Sequence, residues 1–207
     1  MNFGNYTQKS LEAVQGAQQL AVQNGNPQLE QIHLLVALLR QEGGLIPQLL
    51  KKMDVTVESF EAAAIAELNK LPRVSGSREA DRFYISSDTD ATFTAAQDQA
   101  QIMHDEFISV EHIFLGLLES ARDGVKRLFD MYRITKEAAL KALQGVRGNQ
   151  RVTTDNPEGT YDSLREAQKD PQKYKTLSVR VSGWNARFVT LNEEWQNMII
   201  ERTSQGV

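Results

Sequence analysis

The chain has 207 residues, with 27 acidic and 23 basic side chains, a formal net charge of −4 and no cysteine. Its mild acidity and the absence of a basic stripe argue against a nucleic-acid-binding surface. No apolar run approaches the ~20 residues that a membrane span needs. The lack of cysteine excludes disulfides. We therefore expect a soluble, cytoplasmic protein with one main core.

The first 147 residues contain an internal repeat. The run QIHLLVALLRQEGG at 31–44 aligns with VEHIFLGLLESARDG at 110–124, which places His33 over His112. An apolar stripe with helical spacing precedes each of these aligned segments. A short apolar turn and then a longer stretch of good helix formers follow each of them. The stripes are Leu11, Val14, Ala17 and Ala21 in one copy and Phe93, Ala96, Ala100 and Met103 in the other. Each copy is therefore predicted to form four helices.

Polar residues and glycines mark the expected helix ends. Thr7 stands at the expected N-cap of the first helix, and Thr56 and Thr135 precede the last helix of each copy. Gly43 and Gly44 are expected to end the second helix.

These signals predict a mainly α fold, a pseudo-two-fold duplicated four-helix repeat of eight helices followed by a small strand–turn–strand–helix tail. The predicted segments are residues 1–147 for the helical domain (copies at about 6–72 and 85–146), 148–163 for a linker and 164–207 for the tail.

Residues 3–147 resemble the Clp N-terminal domain, the doubled helical module of Clp-type AAA+ unfoldases. The resemblance rests on YTQKSLEAVQGAQQLA, IHLLVALL, EHIFLGLL and LLKKMDV, and RGNQRVTTDNPEGTYDSL is similar to the segment that leaves this domain in ClpB-type disaggregases. It implies a chaperone module of the stress response that engages unfolded or aggregated polypeptide, or an adaptor, and passes clients to an AAA+ ring. The motifs of that ring are absent from this chain.

The same resemblance implies where a client would bind. The matching positions are Thr7, Phe93, Asp105, Glu111 and His112. At His112 the chain departs from the family, in which an apolar residue is commoner. An alternative for Thr7 is a simple N-cap, and for Asp105 a turn residue.

The histidines of the repeat allow two interpretations. We favour hydrogen-bonded side chains in the core or at its boundary that cap a neighbouring helix. A metal site would need more ligands near His33 or His112, and His104 is the only other histidine. The sequence also lacks the phosphate-binding pattern G-x-x-x-x-G-K-[ST], the G-x-S-x-G elbow and any thiol. We therefore expect no catalysis, no cofactor and no metal in the helical domain.

The tail contains the run LSVRVSGWNARF at 177–188. Residues 164–203 resemble the C-terminal glycyl radical domain of glycyl radical enzymes, through Arg180, Val181, Gly183, Trp184 and Phe188. That resemblance implies a radical on the Gly183 α-carbon, where no Cβ crowds a planar centre, installed by a radical-SAM activase. The chain would then be a radical-carrying part that complements an enzyme supplying the missing cysteine and barrel.

Ordinary structure explains the same tail. LSVRV and ARFVTL alternate as strands with Gly183 in the turn between them. Thr190 and Glu193 have capping-box spacing for a helix whose buried face would carry Trp195, Met198 and Ile199. A third interpretation of the whole chain is an inert fragment whose parent function requires the ATPase ring.

Overall fold

The computed structural model describes residues 4–74, 84–147, 166–174, 178–181 and 184–204. These residues belong to two compact units, one made of the described residues up to Gly145 and one made of those from Val146 onward. None of the described helices combines the length and the apolar character that crossing a bilayer requires.

Eight helices follow one another in the described part of the first unit, in the order that the repeat predicts, and the last of them ends two residues beyond Gly145. The first copy forms α1 (Gln8–Gln23), α2 (Gln31–Leu39), α3 (Leu45–Lys52) and α4 (Val57–Leu68). The second copy forms α5 (Ser87–Ile102), α6 (Val110–Ser120), α7 (Asp123–Met131) and α8 (Lys136–Arg147). The predicted mainly α fold with a duplicated four-helix repeat is confirmed.

Short parallel β pairings join the two copies. Strand β1 (Gln28–Leu29) pairs with β2 (Tyr84–Ile85), so that Leu29 lies opposite Ile85. An isolated bridge joins Tyr6 to Ile108 in the same parallel sense. In each pairing, the segment before the first helix of one copy meets the segment before the second helix of the other copy.

The second helix of each copy lies at the centre of the core. All nine residues of α2 are buried, as expected for a helix that is apolar on nearly every side. Three aromatic rings fill the space nearby: Phe129 stacks on Phe60 with a 6.2 Å centroid distance and meets Phe114 edge-on at 6.0 Å. Aromatic pairs of this kind contribute beyond the area they bury.

A glycine allows α5 and α6 to pack in direct contact. A Cβ atom on Gly116 would stand 2.5 Å from the carbonyl oxygen of Thr92 and 2.9 Å from the main-chain nitrogen of Ala96. In the first copy the corresponding residue is Ala37, and its Cβ would lie 3.6 Å from a Cβ placed on Gly16. The α1–α2 contact therefore leaves room that the α5–α6 contact does not have.

The predicted helix ends are mostly confirmed. The Thr7 hydroxyl accepts from the Ser10 N–H at 3.3 Å, and the Thr135 hydroxyl accepts from the Ala138 N–H at 3.2 Å. Thr56 occupies the N-cap position of α4 without a side-chain capping bond.

The expectation that Gly43 and Gly44 end α2 was wrong. The helix stops at Leu39, because the Arg40 N–H already closes the last turn on the carbonyls of Val36 and Ala37. Gly43 supplies a φ of 65° in the turn that follows, and Gly44 is the N-cap of α3.

The described part of the second unit holds helical residues at 166–169, a hairpin, and further helical segments after the hairpin. Strand β3 (Ser178–Val181) pairs antiparallel with β4 (Trp184–Arg187), and a 3-10 turn (Phe188–Thr190) leads to the C-terminal helix (Glu193–Ser204). Its small core holds Ala167, Phe188, Ile199 and Ile200, with Tyr174, Val189 and Leu191 packed against it.

Two details of the predicted tail were wrong. The Asn192 side chain, and not that of Thr190, accepts the capping bond from the Trp195 N–H, at 3.0 Å. The Thr190 hydroxyl instead donates to the carbonyl of Arg187. Trp195 and Met198 are more than 40% exposed, because the helix turns Ile199 and its neighbour Ile200 toward the small core.

Candidate functional site

A groove of about 630 Å³ lies between the segment before α1 and helix α5. Its buried lining residues form an apolar floor, and its exposed ones form a polar rim, which is the arrangement of many interaction sites. The floor is made of Tyr6, Phe93 and Ile108, and the rim of Gly4, Asn5, Asp90, Thr94 and Gln97.

Main-chain hydrogen bonds hold the floor together. The Ile108 N–H donates to the Asn5 carbonyl at 2.7 Å, and the Thr7 N–H donates to the Ile108 carbonyl at 3.0 Å. The Tyr6 and Phe93 rings meet edge-to-face with centroids 6.3 Å apart. Burial raises the pKa of Tyr6 to about 12, so its phenol stays uncharged even in moderately alkaline solution.

His33 and His112 are helix caps of one design. The Nδ1 atom of His33 accepts from the Glu30 N–H, and Nδ1 of His112 accepts from the Ser109 N–H, each at 3.0 Å. Both histidines are the third residue of their helix, the position at which a capping box ordinarily carries Glu or Gln. The favoured interpretation is confirmed in that both histidines are buried and cap a helix, but it was wrong about which helix, since each caps its own and not a neighbouring one.

The second ring nitrogen of each histidine meets a residue of the preceding turn. Nε2 of His33 lies 3.0 Å from Oδ1 of Asn26, and Nε2 of His112 lies 2.9 Å from Oδ2 of Asp105. Because Nδ1 accepts in both cases, the hydrogen of each neutral ring belongs on Nε2. Burial lowers the pKa of His33 to about 4, which keeps that ring neutral.

In the second copy, Ser109 contacts His112 and His112 contacts Asp105, which is the order of contacts in hydrolytic triads. The Ser109 hydroxyl oxygen is 3.0 Å from Nδ1 of His112. That nitrogen already accepts the Ser109 N–H, and the serine is only 5% exposed. A nucleophile needs a free base and access to substrate, so this arrangement serves as a cap.

All five predicted client-contact residues have buried side chains. Thr7, Phe93, Glu111 and His112 are each at most 5% exposed, and the Asp105 side chain is 0% exposed. Phe93 lies in the groove floor, while Asp105 and His112 lie together beneath the turn that carries Ile108. A direct contact of these residues with a client stays a prediction, and the exposed rim is the accessible part of the groove.

Sequence reasoning missed two of the floor residues. Tyr6 and Ile108 precede their helices and have no helical periodicity, so the search for helix faces passed over them. The repeat alignment contained the signal, since it places Tyr6 over Ile85 and Ile108 over Leu29. It also places Asn26 over Asp105, beside the matching histidines.

The remaining histidine does not join this site. His104 is exposed, with a φ of 58°, in the turn after α5. Within the described ranges no three His, Asp or Glu side chains converge as metal ligands would. Gly183 lies outside the described residues, and its flanks Val181 and Trp184 are opposite one another in the hairpin.

Comparison with protein families gives two matches. The family described as Clp repeat (R) N-terminal domain matches residues 5–132. The family described as glycine radical matches residues 124–189, a range that includes Gly183, begins within α7 and stops before the C-terminal helix.

The chain is also similar to named chaperones. It is 41% identical over 172 residues to the chaperone protein ClpB of Nitratidesulfovibrio vulgaris and 37% identical over 171 residues to that of Bacillus cereus, in each case over 82% of this chain and 20% of the relative. The chain thus spans about a fifth of the length of these relatives. The crystal structure of the Hsp104 N-terminal domain from Candida albicans superposes with a TM-score of 0.65 at 24% identity, over 73% of this chain and 97% of that one.

Proposed function

Because the chain belongs to the family of Clp repeat (R) N-terminal domains, we propose that it is a non-catalytic module that binds unfolded or aggregated polypeptide, or an adaptor protein, for a Clp-type AAA+ chaperone. The proposal includes a cytoplasmic location and requires no cofactor or metal. The observation that carries it is the groove floored by Tyr6, Phe93 and Ile108.

The groove suits an extended chain. An unfolded segment exposes apolar side chains and unpaired main-chain groups. An apolar side chain would enter over the Tyr6 and Phe93 rings, while main-chain groups would meet the polar rim at Asn5, Thr94 and Gln97. None of these contacts involves a nucleotide, so we expect binding in its absence.

An NMR titration tests this proposal. The probe is reduced and carboxymethylated α-lactalbumin, a permanently unfolded polypeptide, added to the full chain labelled with ¹⁵N. We expect saturable shifts at the amides of Tyr6, Thr94 and Gln97. The absence of shifts around the groove would contradict the proposal.

A rim variant sharpens the test. Thr94→Arg should fill the groove and weaken binding about tenfold, equivalent to about 1.4 kcal/mol, because Thr94 is exposed and its replacement leaves the floor intact. Gln144→Arg, which adds the same charge at an exposed position of α8 outside the lining, is the control. Phe93→Ala is less suitable, since Phe93 is 2% exposed and its loss would also create a cavity.

A second candidate function concerns the tail. The glycine radical family match and the run LSVRVSGWNARF favour a part that stores a radical on Gly183 and complements a glycyl radical enzyme. A radical-SAM activase would remove one hydrogen atom from the Gly183 α-carbon. Anaerobic electron paramagnetic resonance after activation should then show a carbon-centred radical that Gly183→Ala abolishes. The same signal in that variant, or none in the wild type, would contradict this candidate.

A further inference from the structure

The turn between α5 and α6 is fixed at both ends. The His104 N–H donates to the Gln101 carbonyl and the Asp105 N–H to the Ala100 carbonyl, the two bonds of a Schellman motif. At the other end, His112 caps α6 through the Ser109 N–H. The 2.9 Å contact between the Asp105 carboxylate and Nε2 of His112 joins the two ends beneath the turn.

This turn carries one residue of the groove floor. Ile108 immediately precedes Ser109, and its main-chain groups bond to those of Asn5 and Thr7 in the segment before α1. A change in the path between Asp105 and Ser109 would therefore move Ile108 relative to Tyr6. A displacement of about 1 Å is enough to weaken a binding site severely.

The first copy holds the same turn without a charge. The Asn26 N–H donates to the Ala21 carbonyl, and the Asn26 side-chain oxygen lies 3.0 Å from Nε2 of His33. An amide oxygen thus stands beside its histidine where the carboxylate of Asp105 stands in the second copy. The feature that both copies share is an oxygen that reaches Nε2 of the histidine, and not a negative charge.

We propose that Asp105 and His112 are positioning residues of the polypeptide-binding groove, which fix Ile108 against Tyr6 without touching the polypeptide. This inference rests on the proposed function of the groove. It assigns to Asp105 a role different from the direct contact that family resemblance implies, because its side chain is 0% exposed and lies against an equally buried histidine.

Two substitutions in the full chain separate shape from charge. Asp105→Asn keeps the length and the acceptor, removes the charge and reproduces the Asn26–His33 pair. Asp105→Glu keeps the charge but adds a methylene group in a fully buried place. We expect Asp105→Asn to bind reduced and carboxymethylated α-lactalbumin within about twofold of wild type and Asp105→Glu to bind about tenfold more weakly. Asn26→Asp is the matched control in the first copy.

Spectra without polypeptide test the positioning directly. Asp105→Glu should shift the amide signals of Tyr6, Thr7 and Ile108, while Asp105→Asn should leave these three close to wild type. Loss of binding in Asp105→Asn with unchanged Ile108 signals would overturn the inference in favour of charge contact, and wild-type binding by both variants would also overturn it. If wild type itself shows no saturable binding, the proposed function fails. The Ile108 signals of the unliganded variants then still decide whether Asp105 positions that residue.

Discussion

The side-chain oxygen of Gln31 accepts a hydrogen bond from the main-chain N–H of Arg122, with 3.0 Å between the two atoms. The amide nitrogen of Gln31 donates to the Thr92 hydroxyl at 2.9 Å and lies 3.0 Å from the Ser120 carbonyl. One side chain from the first copy thereby hydrogen-bonds the main-chain groups of the second copy at which α6 ends and α7 begins.

Replacing Gln31 with valine, the residue at the corresponding position 110, should destabilise the helical unit by about 1–3 kcal/mol. The Arg122 N–H and the Ser120 carbonyl would each lose their Gln31 bond in a part-buried place. Urea unfolding followed by circular dichroism measures the change. Gln19→Val, at an exposed position of α1, is the control, and equal stabilities of the two variants would contradict this account.

Gly116→Ala should destabilise the protein by about 1–3 kcal/mol, because the added methyl group cannot fit against the Thr92 carbonyl without separating α5 from α6. Gly16→Ala is the matched substitution in α1, where the new Cβ would make an ordinary contact with Ala37. It should stabilise the helix by up to about 1 kcal/mol. The melting temperatures of the two variants should shift in opposite directions. An unchanged melting temperature for Gly116→Ala would refute the close approach.

The buried, neutral state of His33 predicts a loss of stability in acid. The pKa of His33 is about 4 in the folded chain and 6.5 ordinarily, so between these values the unfolded chain binds a proton that the folded chain does not. Its contribution is therefore fully present above about pH 6.5 and lost as the pH falls toward 4, by an amount on the order of 3 kcal/mol.

The measurement compares urea unfolding of wild type and His33→Gln across this pH range. Glutamine at the third helical position can still reach back to the Glu30 N–H as in an ordinary capping box, but it does not titrate. We expect the free energy of unfolding to fall more steeply with acid in wild type. Identical slopes would show that His33 titrates normally.

His104→Gly should raise the free energy of unfolding by about 0.5–1 kcal/mol. His104 follows the α5 C-cap and has a φ of 58°, a conformation that costs a residue with a side chain about 1–2 kcal/mol. Glycine avoids that cost, but its greater freedom in the unfolded chain offsets part of the gain. Gly25, at a φ of 66°, already supplies glycine at the corresponding place after α1. Gly25→Ala should accordingly be destabilising, and denaturant midpoints of the two variants that move the same way would count against the prediction.

Periodicity in the sequence predicted the helices because most of them bury one apolar face, and the repeat supplied their order. The caps at Thr7 and Thr135 followed from local chemistry alone. The pairing of His112 with Asp105 did not, since side chains seven residues apart meet only after a turn of specific geometry. Nor could the sequence show that Asn192, and not Thr190, would cap the C-terminal helix, because both residues suit that role.

The reciprocal pairing of Tyr6 with Ile108 and of Leu29 with Ile85 means that each half of the duplication completes the other. A single half on its own would leave both of its bridging segments without a partner. Two identical halves could satisfy one another as a symmetric dimer, whose stability would depend on protein concentration. Joining the halves in one chain turns that encounter into an intramolecular step with a high effective concentration, so the folded unit persists upon dilution.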